Sequence, residues 1–199
     1  MSLIAGIGAL SVPGLARAGA QVEEPLADSV RSALSSAIAN DAPPVPEFSE
    51  TASRLKYLRW LGTMSDRLKR RRNIDFQTIE ARTEFMRTVW YESTRAALEP
   101  ALVLGLIQVE SGFRKNAFSS AGALGYMQVM PFWMRTIGNG DVGKLIHMQT
   151  NLRFGCVILR HYLARENGDL FLALGRYNGS RGKEPYPNAV MGARKQWEF

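Results

Sequence analysis

The sequence predicts a mainly α-helical protein. Apolar residues recur at helical spacing in several separate stretches, helix start and stop residues flank those stretches, and no convincing alternation of apolar and polar residues marks a strand. With 199 residues, 46% of them hydrophobic, the chain can bury one good core and has no length for a second large domain. One domain preceded by a leader is the economical organisation. No internal repeat is visible.

From Leu3 to Val12 the chain is apolar and uncharged, and it runs into Ala16-Arg17-Ala18-Gly19-Ala20, whose small residues offer cleavage sites. Residues 1–20 are therefore expected to be an export signal, although no Lys or Arg precedes the apolar stretch. The stretch is too short to span a bilayer. Residues 21–50 are expected to be a linker: 21–40 is rich in Ala and Ser, and Asp41-Ala42-Pro43-Pro44-Val45-Pro46 favours an extended backbone poor in hydrogen bonds. Residues 51–73 are expected to form an amphipathic helical extension, with Leu55, Leu58, Leu61, Met64 and Leu68 on one stripe and Lys56, Arg59 and Arg67 off it. Its Lys69-Arg70-Arg71-Arg72 ending complements the negative end of a helix dipole.

Residues 74–199 are expected to be the principal domain. Asn73 or Asp75 can cap a helix that turns Phe76, Ile79, Met86, Val89 and Trp90 inward. Pro100 suits a first helical position, and Ala101 to Val109 is apolar on nearly every side, which predicts a helix in the middle of the core. Leu152, Cys156, Leu159 and Leu163 form another stripe closing at Asn167-Gly168, and Asp169 can cap a short successor reaching Arg176. Cys156 is the only cysteine, so no intrachain disulfide is available, and its apolar neighbours make it a small core residue.

The buried helix ends at Glu110-Ser111-Gly112-Phe113. A carboxyl group beside the negative end of a helix dipole, with apolar walls on one side, has its charged form disfavoured, so its pKa should rise and it should be able to donate a proton. The alternative is that Glu110 points into water beyond the helix end. The following residues favour the first reading. Glu110-Ser111-Gly112-Phe113, then Ser119-Ser120-Ala121-Gly122-Ala123-Leu124-Gly125-Tyr126-Met127-Gln128-Val129-Met130-Pro131, then Asn151 with Gly155, and finally Tyr177-Asn178-Gly179 stand in the order and at the spacing of a family signature. In these residues the chain resembles the soluble-type lytic transglycosylases, over roughly Phe76 to Trp197.

The resemblance implies a lysozyme-like helical fold with a groove for alternating N-acetylglucosamine and N-acetylmuramic acid. Glu110 matches the catalytic glutamate; Ser119, Gln128 and Met130 match positions lining the sugar subsites; Tyr177 and Asn178 match the pair facing the reacting ring and the glutamate. Tyr126, where the family often has leucine, and Arg176, in place of a common alanine, depart from the pattern and bear on subsite shape. Taken singly, Gln128 and Ser119 read as loop-capping groups, Met130 as core filler and Tyr177 as a surface aromatic. Together and in order they favour the groove.

Glycosidases usually flank the scissile bond with two carboxyl groups, yet no Asp or Glu occurs from Ser111 through Gly140, where a lysozyme of this shape commonly finds its second. The expected chemistry is cleavage of the MurNAc-β-1,4-GlcNAc bond without water. Glu110 protonates the glycosidic oxygen and then takes a proton from the C6 hydroxyl, leaving a 1,6-anhydromuramoyl end. Asp141 and Glu99 remain candidate partners for a hydrolytic muramidase, and a catalytically silent wall-binding or secretion-scaffold protein is the third class.

Other patterns fail their context tests. Gly138-Asn139-Gly140-Asp141-Val142-Gly143-Lys144 resembles phosphate-binding loops, but Leu145 supplies no hydroxyl for magnesium and no strand precedes it. Asn178-Gly179-Ser180 fits a glycosylation acceptor yet overlaps the proposed site. His147 and His161 have no partners at ligand spacing, so no metal and no cofactor is expected. The net charge of +7 and pI near 9.9 suit a polyanionic partner. Nucleic acid is not expected, because the basic cluster closes a single helix instead of interleaving with aromatics on one face. The expected partner is peptidoglycan glycan strands, with envelope secretion or pilus machinery open as a further one, and the expected state is a periplasmic monomer.

Overall fold

A computed structural model describes residues 21–39, 46–71 and 73–199. Among them lie eight α-helices: α1 (Asp28–Ile38), α2 (Thr51–Lys69), α3 (Ile79–Arg95), α4 (Pro100–Glu110), α5 (Pro131–Ile137), α6 (Met148–Arg165), α7 (Leu170–Asn178) and α8 (Pro185–Arg194). Short 3-10 turns sit at Ile74–Phe76, Val142–Ile146 and Lys195–Trp197. Extended pairing among the described residues is limited to isolated bridges from Leu124 to Phe118 and to Val129. The mainly helical expectation holds.

The helix at the centre is α4. Val103, Leu104, Leu106 and Ile107 are completely buried, as an apolar run without a polar face requires. It packs on α3 and, more closely, on α8. Gly105 makes that close approach feasible: a Cβ there would lie 2.8 Å from the Arg194 Cα of α8. The two helices run antiparallel, with the Val190–Arg194 end of α8 beside Gly105 and its Tyr186 end beside Glu110. The other helices complete the core, with α2 on α3, α3 on α6 and α6 on α7.

The starts of α4 and α7 follow the sequence, and the cap of α3 differs. Thr78 accepts the Ala81 N–H to start α3, Asp169 accepts from Leu172 to start α7, and Pro100 opens α4. Asn73 caps the 3-10 turn before α3 instead of α3 itself.

Three expectations change. Residues 28–38, expected within a linker, form α1, which buries Leu34 and packs on α5 and α6. Val30, Leu34, Ala37 and Ile38 stand at helical spacing and turn one face to the core, and long-range polar contacts hold the helix down: Arg95 donates to the Ala37 carbonyl and the Trp133 indole N–H to Gln21 (2.7 Å). In α2, Leu55 and Leu58 are about half exposed, while Tyr57, Trp60, Leu61, Met64 and Leu68 face inward. Aromatic packing decides the rotation, with Trp60 4.8 Å and Tyr57 5.1 Å from the Trp90 ring between centroids. Ile79, expected inward, is exposed. The expected export signal, residues 1–20, lies outside the described residues.

The basic end of α2 is also bound. Arg67 donates to the Gln196 and Glu198 carbonyls, and Arg71 donates to Gln108 and Gln196 and lies 5.5 Å over the Trp197 ring. These contacts tie α2 to the carboxy-terminal turn and to α4, two residues before Glu110.

Candidate active site

Glu110 ends α4 and is buried, with only 6% of its surface exposed. Burial raises its pKa to about 8, against a smaller lowering by the Tyr186 hydrogen bond. The Tyr186 hydroxyl donates to Oε1 at 2.5 Å, and Oε2 is buried without a partner. At neutral pH Glu110 is thus mostly a neutral carboxylic acid with one oxygen uncommitted. The alternative of a solvated carboxylate does not describe it.

The chain turns away at once after Glu110. Gly112 and Phe113 both take left-handed φ angles, +59° and +65°, an uncommon conformation for a phenylalanine. Phe113 is held there by the rings of Phe85 and Trp197, and its carbonyl accepts from Asn73 Nδ2 at 2.7 Å. The segment before α3 therefore braces the exit from α4.

The motif residues explain one another around Met127. Its N–H donates to Asn151 Oδ1 (2.8 Å), its carbonyl accepts from the Tyr177 hydroxyl (2.8 Å), and its side chain fills a notch at Gly155, where an added Cβ would lie 2.7 Å from the Met127 Cβ. Asn151 Nδ2 donates to the Leu124 and Leu145 carbonyls as well. Gln128 follows with φ +49°, and its Nε2 donates to the Ala117 and Gly125 carbonyls. Ser119 Oγ accepts the Ala123 N–H and closes the turn between them. The loop from 117 to 128 is hydrogen-bonded within itself and tied to α6 and α7.

The proposed site residues thus separate by location. Ser119 and Gln128 spend at least part of their polar capacity on their own loop, and Met130 is half-buried against the core as the cap of α5. Tyr177, expected to face the reacting ring, has a completely buried side chain, and its hydroxyl donates to the Met127 carbonyl. It nevertheless lies close enough to Glu110 for the carboxylate charge to help raise its pKa. Asn178 donates from Nδ2 to Ser180 Oγ at 3.0 Å and has a buried Oδ1 without a partner. Tyr126 packs on Phe76 and Phe85, which makes it core and not a groove residue.

Tyr186 escaped sequence reasoning. Its signal was Pro185, a helix-opening residue that could have revealed α8, but nothing local says that α8 lies against the end of α4.

The acids named as hidden partners stand elsewhere. Glu99 precedes the first residue of α4, about 16 Å along the axis from Glu110, and pairs with Arg194 at 2.5 Å. Asp141 accepts from Gly143 as the cap of a 3-10 turn. Glu92 is consumed by Arg153 at 2.9 Å. Asp75 is the acid that the fold brings to the loop after Glu110, through the Lys115 N–H at 3.4 Å. Among the described residues, no group of three or more His, Cys, Asp or Glu comes together as metal ligands would, and no helix is long and apolar enough to cross a membrane.

A buried carboxylic acid held neutral at pH 7 at the end of a core helix has the protonation state that a general acid requires. Comparison with known proteins agrees: residues 88–199, more than half of the chain, match the Transglycosylase SLT domain, and the chain belongs to this family. A transglycosylase of Enterobacteria phage PRD1 is 33% identical over 114 residues, covering 51% of this chain and 42% of the relative. The membrane-bound lytic murein transglycosylase C of Actinobacillus pleuropneumoniae serotype 5b (strain L20) is 43% identical over 61 residues, 30% of this chain and 16% of the relative. The chain thus spans less than half the length of these relatives. Among solved structures, an inactive mutant of the lytic transglycosylase Slt from Pseudomonas aeruginosa matches with a TM-score of 0.46 and 21% identity, over 72% of this chain and 27% of that one.

Proposed function

We propose that the protein is a peptidoglycan lytic transglycosylase of the bacterial envelope, acting in the periplasm and cleaving the MurNAc-β-1,4-GlcNAc bond to leave 1,6-anhydromuramoyl ends. The observation that carries this reading is the neutral, buried Glu110 with its uncommitted Oε2. Glu110 donates its proton to the glycosidic oxygen as the bond breaks, and the resulting carboxylate then accepts the proton of the C6 hydroxyl as that oxygen closes on the anomeric carbon. The acid is regenerated and no water is consumed. The attacking hydroxyl is already tethered to the reacting sugar, which gives it the advantage of an intramolecular reaction.

Around this step Asn178 offers its free Oδ1 to the sugar, and the loop carrying Ser119, Gln128 and Met130 forms the groove wall. Tyr177 acts through Met127 by fixing that loop. Tyr186 orients Glu110. The family membership and the similarity to murein transglycosylases support peptidoglycan as the substrate.

A hydrolytic reading has one observation in its favour, the carboxylate of Asp75 beside the loop after Glu110. Against it, the Asp75 carboxylate is engaged with the Lys115 N–H and contributes nothing to the shift of Glu110, which comes from burial. Digestion of purified peptidoglycan in oxygen-18 water tests both. The expected products are anhydro-ended fragments, each one water lighter than the reducing sugar and unlabelled at the cleaved end. Labelled reducing ends as the main initial product would overturn the transglycosylase reading and turn attention to Asp75.

A further inference from the structure

Glu166 follows α6 and is largely buried, although its sequence neighbours are exposed. Its carboxylate accepts from Arg176 Nε at 2.6 Å and from Arg181 Nε and Nη2, each at 2.8 Å. These two arginines flank one short segment: Arg176 immediately precedes Tyr177, and Arg181 immediately follows Ser180. One carboxylate therefore holds both ends of the turn that carries Tyr177 and Asn178.

The turn itself is tight. Gly179 adopts φ +76° to end α7, the Ser180 N–H returns to the Gly175 carbonyl at 2.7 Å, and a Cβ on Gly175 would lie 2.9 Å from the Arg181 Cα. Its entry is fixed by the helix. Its exit is held only by local contacts, such as the Lys183 N–H to the Ser180 carbonyl at 2.9 Å, because residues 181–185 are exposed and Arg181 keeps half of its side chain in solvent. The Glu166 pair is the long-range contact anchoring that exit, and charge-assisted bonds to a guanidinium fix direction as well as distance. Arg176, the departure from the family's usual alanine, also donates to Glu24 at 2.9 Å, while Arg165 pairs with the same carboxylate. The segment before α1 thus joins the network from the far side.

We infer that Glu166 is a positioning residue for the active site: by binding Arg176 and Arg181 it clamps the 177–180 turn, so that Tyr177 stays on Met127 and Asn178 keeps its orientation. The inference rests on the assignment of Tyr177 and Asn178 to the site.

Two measurements on the full chain test it. In steady-state muropeptide release, Glu166→Gln is expected to lower kcat by about tenfold or more while KM stays within about twofold. In amide hydrogen exchange, the Ser180 N–H is expected to exchange about tenfold faster in the variant, with the α4 amides unchanged. Arg181→Gln, on a half-exposed side chain, should move both readouts the same way and serves if Glu166→Gln does not fold. Unchanged kcat with unchanged Ser180 exchange in Arg181→Gln overturns the inference. So does faster exchange spread evenly through α4 and the turn, which would mean a general loss of stability. A wild-type chain that releases no anhydro-ended fragments would refute the proposed function instead, and Ser180 exchange would still decide for or against the clamp.

Discussion

Glu110 carries two linked pH dependences. Its folded pKa of about 8 lies above the ordinary 4.5. Below pH 4.5 the folded and unfolded chains are both protonated there; above it the unfolded chain releases the proton and the folded one retains it, so stability falls as pH rises and levels off past about 8. The shift corresponds to a loss of order 5 kcal/mol. Gln cannot titrate, so urea midpoints should show Glu110→Gln close to wild type at pH 4 and several kcal/mol more stable at pH 8.5, on the order of the loss just given. A difference that does not vary with pH would mean that the carboxyl is solvated. The same substitution should reduce wall cleavage by about three orders of magnitude or more, since it removes the transferable proton. Tyr186→Phe removes the hydrogen bond that holds the Glu110 pKa down, so the alkaline limb of the kcat profile should move upward, with a stability loss of about 1–3 kcal/mol for the orphaned oxygen. An unmoved limb would show that Tyr186 does not act on the acid.

At the scale of elements, the site depends on one close helix crossing. Glu110 comes from α4 and Tyr186 from α8, and Gly105 lets the two meet. In Gly105→Ala the new methyl would press on the Arg194 backbone, with no flexible side chain to yield. Overpacking of this kind should destabilise the protein by about 1–3 kcal/mol, read from urea unfolding. Separation of α8 from α4 should also lengthen the bond to Glu110, so kcat should fall in the fraction that remains folded. Full activity in a destabilised Gly105→Ala protein would place the Glu110–Tyr186 contact outside the chemistry. The element-level errors of sequence reading have the same origin. Leu55 and Leu58 lie on a legible helical stripe, but Tyr57 and Trp60 are buried against the Trp90 ring and set the rotation of α2.

For the whole molecule, α1 is attached but not interlocked. Between its inner face and α3 and α6 lies a hollow of about 570 Å³ lined by Val30, Ala33, Leu34, Ala37, Val157 and His161, among others. Polar contacts from Gln21, Glu24 and the Ala37 carbonyl hold it at its edges. A chain starting at Ala52 is therefore expected to fold and cleave peptidoglycan, with stability lower by about 2–4 kcal/mol from the lost Leu34 burial and the vacated partners. Failure of that chain to fold would make α1 part of the core. The packing of α2 on α3 and the bonds of Arg67 and Arg71 to the last residues argue against a similar truncation after Lys69.

By itself the sequence determined the helical class, the starts of α4 and α7, the burial of α4 and the place of Glu110 at its end. Each follows from periodicity or from a cap within a few residues, where the deciding interactions are local. Only the tertiary structure decided that Tyr186 bonds the acid, that Tyr177 is buried with its hydroxyl on Met127, that Asp75 and not Glu99 comes to the loop after Glu110, and that α1 packs on the body. Those contacts join residues far apart in the chain, and sequence spacing carries no distance once the chain has turned. The pKa of Glu110 belongs to both levels: a helix end in an apolar run indicates its direction, while the size of the shift comes from the burial that the assembled helices impose.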